Sequence, residues 1–573
     1  MKRLFAYLQK YMGRMGLGLV IKFVGTMMDL LIPWALTHIL NEVVPQKDVG
    51  LLLWWSAGML AFSAIAFSFN VIANRMATVV ARDSALEIRR DAFSQMVRLT
   101  VPETDRISQS SLISRLTTDT YNVHAFIGRI QRLGVRAPIL LIGGAVITLS
   151  MEPVLAGVLL ATMPLVTFAS IMINRKGLPM FLRQQKAIDK LVLTVRDNIT
   201  GARVIKALGM EESEIERFAG VNSDVSLWET RSGATMALSS PIMNVILNMG
   251  LCAVILVGAA RSDLGLTQPG TVIAFLTYFS IILNAMLNIT RIFVMYTKAS
   301  ASMRRLDELL SAKTELPQVY MDDCADKNAA IEFSRVRFSY SGGEDEKLNL
   351  RDISFKLQKG ETLGVLGATG SGKSTLIRLL ERFYTVSGGD IYIFGKPICE
   401  YGEKELHSLF GSAFQSDILF ADTIRANIDF GRGLSDEAIV KALRCAQAYD
   451  FVSSQEEGLE RRLAPRGADL SGGQKQRLYI ARALAASPKI LVLDDSSSAL
   501  DYQTDAALRH DIRQMYPETT VVLIAQRVSS VHSSDLILCL DDGRSVGLGT
   551  HDELMRSCEV YRETAQLQMG GDI

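Results

Sequence analysis

The sequence has little net charge and no paired cysteines. Its 61 lysines and arginines are nearly balanced by 60 aspartates and glutamates, so the formal net charge is only +1 over 573 residues. Bulk electrostatics therefore give no reason to expect a nucleic-acid partner. None of the cysteines forms a C-x-x-C pair, and we expect reduced, cytoplasmic thiols without a disulfide or metal role. The six are Cys252, Cys324, Cys399, Cys445, Cys539 and Cys558.

Hydrophobic residues make up 49 % of the chain, and many of them lie in six apolar stretches of the N-terminal half. Each stretch is about long enough to cross a ~30 Å hydrocarbon core as a helix rising ~1.5 Å per residue. The first is not expected to be a cleaved signal peptide, because Lys22 interrupts it and no small-residue cleavage site follows. The stretches are approximately 15–43, 51–74, 133–151, 153–174, 238–260 and 270–296.

Charge in the gaps between these stretches predicts the orientation of the membrane domain. The two long gaps, 75–132 and 175–237, are rich in arginine and lysine, whereas the short gaps carry only Lys47 and Arg261. The long gaps and both termini are therefore predicted to be cytoplasmic. Apolar residues at helical spacing in the long gaps predict that spans 2 to 5 continue as helices into the cytoplasm. Two independent soluble insertions would be the alternative.

Several polar residues interrupt the spans, where they are costly. Lys22 and Asp29 are seven residues apart and share one face of the first span. Spans 5 and 6 carry polar side chains at three- or four-residue spacing. These residues could line a cavity or form hydrogen bonds between helices, and the sequence favours neither. They are Asn244, Asn248, Asn284, Asn288 and Arg291.

The C-terminal part is polar and alternates short β-like runs with helical stretches, which predicts an α/β domain with a mostly parallel core. Segment 311–328 is polar and lacks periodicity, as is typical of a linker. The predicted organisation is an all-α transmembrane domain of six helices over 1–310, a linker over 311–328 and an α/β domain over 329–573.

A phosphate-binding motif, GATGSGKS, follows the strand-like run LGVL and precedes a helical run. In the pattern G-x-x-x-x-G-K-[ST], glycines let backbone N–H groups surround phosphate oxygens at a helix N-terminus. Lys373 would reach the β- and γ-phosphates, and the Ser374 hydroxyl would bind Mg²⁺. The candidate nucleotide-binding residues of this loop are Gly367, Ala368, Thr369, Gly370, Ser371, Gly372, Lys373, Ser374 and Thr375.

Two further motifs complete the candidate site. The strand-like run ILVLD ends on Asp494, which is placed to hold Mg²⁺, and Asp495 follows it directly. The sequence LSGGQ opens another helix, which makes a second anion site. One chain cannot easily direct both helix ends at one phosphate group, so LSGGQ is predicted to contact a nucleotide held by another subunit. Its residues are Ser471, Gly472, Gly473 and Gln474.

The order GATGSGKS, Gln415, LSGGQ, ILVLD and SALD resembles an ATP-binding cassette. With six preceding spans, the whole chain resembles a half-transporter of the ABC exporters, the type IV transporters that move drugs, lipids or peptides. The resemblance implies that Tyr340 stacks on adenine, that Gln415 contacts Mg²⁺ and the membrane domain, and that Ser498 to Asp501 cross the dimer seam. It also implies that segments 112–120 and 197–209 dock on cassettes, the second on the partner's.

This sequence departs from the family's hydrolysing sites at two catalytic positions. Asp495 stands where those sites have the glutamate general base, and Gln526 stands where they have the switch histidine. Pro465 also replaces the acidic residue that usually precedes LSGGQ. The resemblance therefore implies a subunit that binds ATP and Mg²⁺, hydrolyses ATP slowly, and pairs with a second half-transporter that supplies Glu and His. A homodimer with two weakened sites is the alternative.

The expected function is ATP-driven export of a small amphipathic substrate through a lipid membrane, with no nucleic acid involved. The bacterial inner membrane is the expected location. An importer or an ATP-sensing regulator built on the same fold would be the alternatives. The sequence does not identify the substrate or the partner chain.

Overall fold

The structure, a computed structural model, describes residues 1–316, 326, 328–340, 348–496 and 499–569, without the side chains at positions 174, 178, 239, 290, 291 and 294. The Arg291 side chain, Cys324, Ser498 and most of the predicted linker thus lie outside the described residues. The chain forms two compact units. The membrane unit comprises Met1–Arg98 and Ile107–Ala312, and the cassette unit comprises Leu99–Arg106 and Lys313–Ile573.

The membrane unit is built from α-helices, several of them interrupted by a single π-helical turn. The π-helical turns are Ile39–Val43, Arg115–Asp119 and Ile130–Gly134. The helices, including the short α5 that starts in the cassette unit, are α1 (Lys2–Gln9), α2 (Met12–His38), α3 (Val44–Gln46), α4 (Val49–Val97), α5 (Val101–Ile107), α6 (Gln109–Ser114), α7 (Thr120–Arg129), α8 (Val135–Met151), α9 (Pro153–Thr200), α10 (Ala202–Leu208), α11 (Glu211–Ala237), α12 (Ser239–Asp263) and α13 (Pro269–Leu310).

Within the described part of the chain, six helices are long and apolar enough to cross a membrane, as the sequence predicted. Helices α4 and α9 have 49 and 48 residues, about twice the length that a ~30 Å core requires. The predicted helical continuation of the spans through the long gaps is therefore confirmed, and the alternative of independent soluble insertions is wrong.

The first predicted docking segment is bonded to helix α13. Residues 112–120 belong to the membrane unit, where they pack on α13. The Arg115 guanidinium donates to the Glu308 carboxylate at 2.8 Å, and the fully buried Asp119 accepts from Arg305 Nε at 2.8 Å. These ion pairs hold the segment against α13. Docking of residues 112–120 on a cassette stays a prediction, and the preceding Leu99–Arg106 belongs to the cassette unit.

The cassette unit contains a ten-stranded sheet with helices on both faces. Its strands are β1 (Ala329–Phe338), β2 (Leu350–Gln358), β3 (Thr362–Gly367), β4 (Gly388–Ile393), β5 (Lys396–Pro397), β6 (Phe410–Ala413), β7 (Ile490–Asp494), β8 (Thr520–Ala525), β9 (Leu536–Asp541) and β10 (Arg544–Gly549). Its helices are α14 (Lys373–Leu380), α15 (Glu403–Leu409), α16 (Ile424–Asp429), α17 (Asp436–Cys445), α18 (Tyr449–Ser453), α19 (Gly472–Leu484), α20 (Tyr502–Met515), α21 (Val528–Val531), α22 (His551–Ser557) and α23 (Glu559–Met569).

The strand order is β5-β4-β1-β2-β10-β9-β3-β8-β7-β6, and the run from β9 to β6 is parallel. All five residues of β7 are buried, because its alternate side chains enter two different cores. Ile490 and Val492 pack on one face of the sheet, and Leu491 and Leu493 pack on the other. A parallel strand covered on both faces reads as a continuous apolar run, which is why ILVLD was recognisable in the sequence.

A buried carboxyl group lies beneath the phosphate-loop helix. Glu381, directly after α14, is 3 % exposed and accepts a hydrogen bond from the Ser412 hydroxyl of β6. Burial raises its pKa to about 8, the Ser412 hydrogen bond opposes the rise, and the nearby charge of Asp494 adds to it. Between pH ~4.5 and ~8 the folded protein thus binds more protons than the unfolded chain, so stability falls as pH rises through that window.

The variant Glu381→Gln should stabilise the cassette unit at high pH. At pH 8 we expect a gain of about 2 kcal/mol, roughly 5 °C in unfolding temperature, because a neutral amide avoids the cost of the buried charge. Near pH 5 the difference should vanish. Calorimetric unfolding of the full chain at both pH values tests this, with the exposed Glu518→Gln as the control. A lower unfolding temperature for Glu381→Gln at pH 8 would contradict the assignment.

Candidate nucleotide site

Four neighbouring parallel strands place the candidate residues at one edge of the sheet. In the register, Leu366 of β3 pairs with Ala525 of β8, and Asp494 of β7 pairs with Ile524 of β8. Beyond the carboxyl ends of β3, β8, β7 and β6 come the phosphate loop, Gln526, Asp495 and Gln415, respectively. Ligands of open α/β sheets bind at this edge.

The phosphate loop has the backbone conformation that its glycines permit. Gly370 and Gly372 have φ angles of +88° and +104°, which side chains with a Cβ rarely adopt. The Lys373 ammonium donates to the carbonyl oxygens of Gly367 at 2.7 Å and Ala368 at 2.8 Å, inside the loop. The Ser371 hydroxyl is buried and has no hydrogen-bond partner among the described residues. The loop therefore offers donors for the oxygens of a phosphate group.

A cleft of about 310 Å³ connects the loop with the strand ends. The sequence predicted most of its lining but missed Asn349 and Ile524, which belong to no motif. The Asn349 side chain accepts from the backbone N–H of Tyr340 at 3.2 Å and so positions that residue. The predicted residues that line the cleft are Thr369, Gly370, Gly372, Lys373, Ser374, Thr375, Gln415, Asp494, Asp495 and Gln526.

Burial and neighbouring charges shift the pKa values of the ionisable groups in the cleft. Burial raises the pKa of Asp494 to about 6, and the adjacent Asp495 adds to the rise while Lys373 opposes it. Burial also raises the pKa of Asp495, and burial lowers that of Lys373. Two carboxyl groups beside one desolvated ammonium form a site in which added positive charge is stabilising.

The donor atoms fit a magnesium ion. Ser374, Gln415 and Asp494 all line the cleft and carry oxygen atoms, the ligands that Mg²⁺ prefers. A bound Mg²⁺ would supply positive charge to the phosphate oxygens and to the two aspartates. The residues present therefore fit the ion that the motifs imply.

Asp495 is held by both of its glutamine neighbours. Its backbone is left-handed, with φ +49°, and its N–H donates to the Ile524 carbonyl at 3.0 Å. One carboxylate oxygen, Oδ2, accepts from Gln415 Nε2 at 3.2 Å and from Gln526 Nε2 at 3.1 Å. The side chain predicted to occupy the general-base position is thus hydrogen-bonded by two glutamine amides.

Comparisons with known proteins agree with this geometry. The ABC transporter transmembrane region matches residues 15–286, and the ABC transporter domain matches residues 350–498. An ABC transporter ATP-binding protein of Mycobacterium tuberculosis strain CDC 1551 is 31 % identical over 571 residues, 98 % of this chain and 97 % of that protein. YfiB of Bacillus subtilis is 31 % identical over 572 residues, 100 % of this chain and 99 % of that protein.

This chain belongs to the ABC transporter family. Among solved structures, a bacterial Atm1-family ABC exporter with ATP bound matches with a TM-score of 0.83 at 22 % identity, over 99 % of this chain and 100 % of that one. The predicted fold class, six membrane helices followed by an α/β cassette, is confirmed.

Aromatic residues of this ABC transporter gather beside the phosphate loop. The Tyr340 hydroxyl donates to Thr375 Oγ1 at 3.3 Å and accepts from Arg378 at 3.1 Å, and its ring is 42 % exposed. The ring of Tyr384 lies perpendicular to it, 5.0 Å away between centroids. Tyr340 is thus available for a flat ligand, and Arg378 and Tyr384 are neighbours that the sequence motifs did not indicate.

The LSGGQ segment of the transporter lies outside the cleft. Ser471 caps α19, since its Oγ accepts from Gln474 N at 3.3 Å while Gln474 Oε1 accepts from Ser471 N at 2.9 Å. This reciprocal capping box fixes the helix start that would face an anion. Among the described residues that line the cleft, none belongs to LSGGQ. Asp501 caps α20 by accepting from Thr504 N at 2.8 Å.

The second predicted docking segment of the transporter is a turn between helices. Helix α9 ends at Thr200, and the short α10 follows and closes on Gly209, whose φ is +63°. Gly209 is the left-handed residue that commonly ends a helix. Docking of this turn on a partner's cassette stays a prediction.

Proposed function

We propose that this chain is the degenerate-site subunit of a heterodimeric, ATP-driven exporter of a small amphipathic substrate. It would reside in a bacterial inner membrane with both termini in the cytoplasm. Family membership and the exporter fold support the transporter part. The observation that carries the degenerate-site part is the position of Asp495 between Gln415 and Gln526.

Asp495 is a poor general base in this arrangement. Its carboxylate is one methylene, roughly 1.5 Å, shorter in reach than that of a glutamate. A base must come within about 2.6–3.2 Å of the water that it activates, and a misplacement of ~1 Å can cost about 100-fold in rate. The two amide donors also compete with a water for one of the two Asp495 carboxylate oxygens, Oδ2. Hydrolysis at this site is therefore slow.

Gln526 cannot replace a histidine at the switch position. Its amide can donate a hydrogen bond to a phosphate oxygen, but unlike an imidazole it neither exchanges a proton nor carries positive charge near neutral pH. Both weakened positions belong to the same cleft. ATP held there by the phosphate loop and Mg²⁺ would persist through several transport cycles.

The intact LSGGQ segment supports a partner subunit. Its capping box fixes the start of α19, and its residues are not among the described residues that line this chain's own cleft. A partner half-transporter with Glu and His would bring a competent site, to which Ser471, Gly472 and Gly473 would contribute. ATP binding at both sites would draw the cassettes together, and hydrolysis at the competent site would reset the transporter.

Nucleotide retention in the purified full chain tests this proposal. With Mg²⁺ and labelled ATP, we expect tight binding and recovery of the bound nucleotide as ATP, with turnover far below the 1–10 s⁻¹ of an ordinary enzyme. Lys373→Ala should abolish binding, which serves as the control. Turnover of 1–10 s⁻¹ by the chain alone would overturn the proposal and would favour a homodimer with Asp495 as a working base.

A further inference from the structure

The membrane unit contains a cavity of about 400 Å³ with two unlike walls. The α13 side is mainly a polar stripe of Thr277, Ser280, Asn284 and Asn288 at helical spacing, beside the apolar Ile281 and Ala285. The rest of the lining consists of the leucine and alanine side chains of segment 133–140, together with Arg136 and Asp29. A cavity that is polar along one side and apolar along the other suits an amphipathic ligand.

Beside this cavity lies a charged cluster with an excess of cations. Arg136 donates to Asp29 Oδ2 at 3.0 Å, and Asn70 donates to the same oxygen at 3.3 Å. The buried Lys22 donates to Asn74 Oδ1 at 3.0 Å and lies within electrostatic range of Arg132, Arg136 and Asp29. Among these described groups, three cations face one carboxylate.

The cation excess makes the cluster receptive to an anion. Unpaired charge is costly within a membrane-spanning bundle, and such groups usually mark a ligand or ion pathway. Arg136 Nε is buried and has no hydrogen-bond acceptor among the described residues. A buried donor without an acceptor loses its hydration with nothing in return. The Arg136 side chain as a whole is 42 % exposed, so its guanidinium can donate to an anion in the cavity.

We propose that this cavity binds the anionic head of an amphipathic substrate, a carboxylate or a phosphate ester. The head would lie at Arg136, its polar substituents along the α13 stripe and its apolar chain against segment 133–140. This inference rests on the proposed export function and specifies its substrate class. Asp29 has two opposing effects, because it holds Arg136 in place and also competes with the ligand for it.

The two members of the ion pair should thus respond to substitution with opposite signs. Arg136→Gln removes the anion's partner and should weaken binding of an anionic amphiphile about tenfold, the equivalent of ~1.4 kcal/mol. Asp29→Asn removes the competing carboxylate and should strengthen binding severalfold. If the ion pair were only structural, both substitutions would loosen the helices and change binding in the same direction.

The test uses the full chain in phosphatidylcholine nanodiscs without nucleotide. The probes are a dansyl-labelled undecanoic acid and its methyl ester, followed by fluorescence anisotropy. We expect the acid to bind about tenfold more tightly than the ester, and Arg136→Gln to remove most of this preference. Arg136→Lys should retain part of it, because the positive charge remains. Equal affinity for acid and ester, or variants that shift in the same direction, would overturn the inference.

A second arm identifies the source of the anion. Nanodiscs that contain phosphatidylglycerol should displace the acid if the natural ligand is a membrane lipid, and should leave it bound if the ligand enters from water. Either result supports an anion site. ATP retention by the same preparation separates the two proposals. Retained ATP without acid preference refutes only the anion site, whereas rapid turnover with acid preference refutes only the degenerate ATP site.

Discussion

Replacing Asp495 with Glu and Gln526 with His in the same chain should raise ATP hydrolysis at its own site about 100-fold. The longer carboxylate would extend past the Gln415 amide, which lies 3.2 Å from Asp495 Oδ2, and the Gln526 amide, 3.1 Å from the same oxygen, would be removed. The imidazole would add a group that can donate and carry charge. Phosphate release by the purified chain measures turnover. A second assay uses the complex isolated through a tag on this chain. Conversion of its retained ATP to ADP measures the same gain and does not require this chain to form a homodimer.

Asp495→Asn is the matched control for this rescue. If Asp495 contributes little as a base, the asparagine variant should hydrolyse ATP within about twofold of the native rate, because only a weak contribution is lost. A large loss in Asp495→Asn would show that Asp495 already serves as the base. Either that loss or the absence of a gain in the double variant would contradict the degenerate-site interpretation.

The variant Gly472→Asp should reduce the ATP turnover of the native complex at least about 100-fold. In the proposed heterodimer, α19 of this chain faces the nucleotide of the competent site, and a carboxylate at its start would repel the phosphate groups. The substitution should not harm this chain's own fold. A Cβ at position 472 meets only Ala499 Cβ at 4.0 Å, and an acidic residue in the first turn favours the helix.

Two controls accompany the Gly472→Asp experiment. Gly472→Ala adds bulk without charge and should retain most of the activity. Asp495→Asn in the same complex should change total turnover by no more than about twofold, because the competent site uses the partner's base. If Asp495→Asn reduced turnover as strongly as Gly472→Asp, both sites would be hydrolysing and a symmetric assembly would be indicated.

Most of the nucleotide cleft could be predicted from the sequence because each component is a local pattern. The phosphate loop needs glycines at fixed spacing, and Asp494 follows an apolar run that is buried on both faces. Parallel pairing then brings the strand ends together without further information. The position of Asn349 depends instead on how its loop packs against Tyr340, and the sequence around it carries no pattern.

Long-range contacts account for what the sequence could not show. The hydrogen bonds from Gln415 and Gln526 to one oxygen of Asp495 join residues 80 and 31 positions apart. The ion pair between Asp119 and Arg305 likewise joins segment 112–120 to α13 across 186 positions. Such pairs are fixed by tertiary packing, which local spacing does not encode. The raised pKa of Glu381 has the same origin.

The segment Leu99–Arg106 gives this protein a constraint on the order in which it is made. Within the cassette unit the Tyr384 hydroxyl donates to the Asp105 carboxylate, a contact between residues 279 positions apart. At a synthesis rate of ~5–20 residues per second, Asp105 precedes Tyr384 out of the ribosome by roughly 15 to 55 s. The segment lies between membrane helices and therefore cannot form its contact with the cassette unit until Tyr384 has been synthesised. The cassette unit can be completed only late in translation, after the first membrane spans are in place.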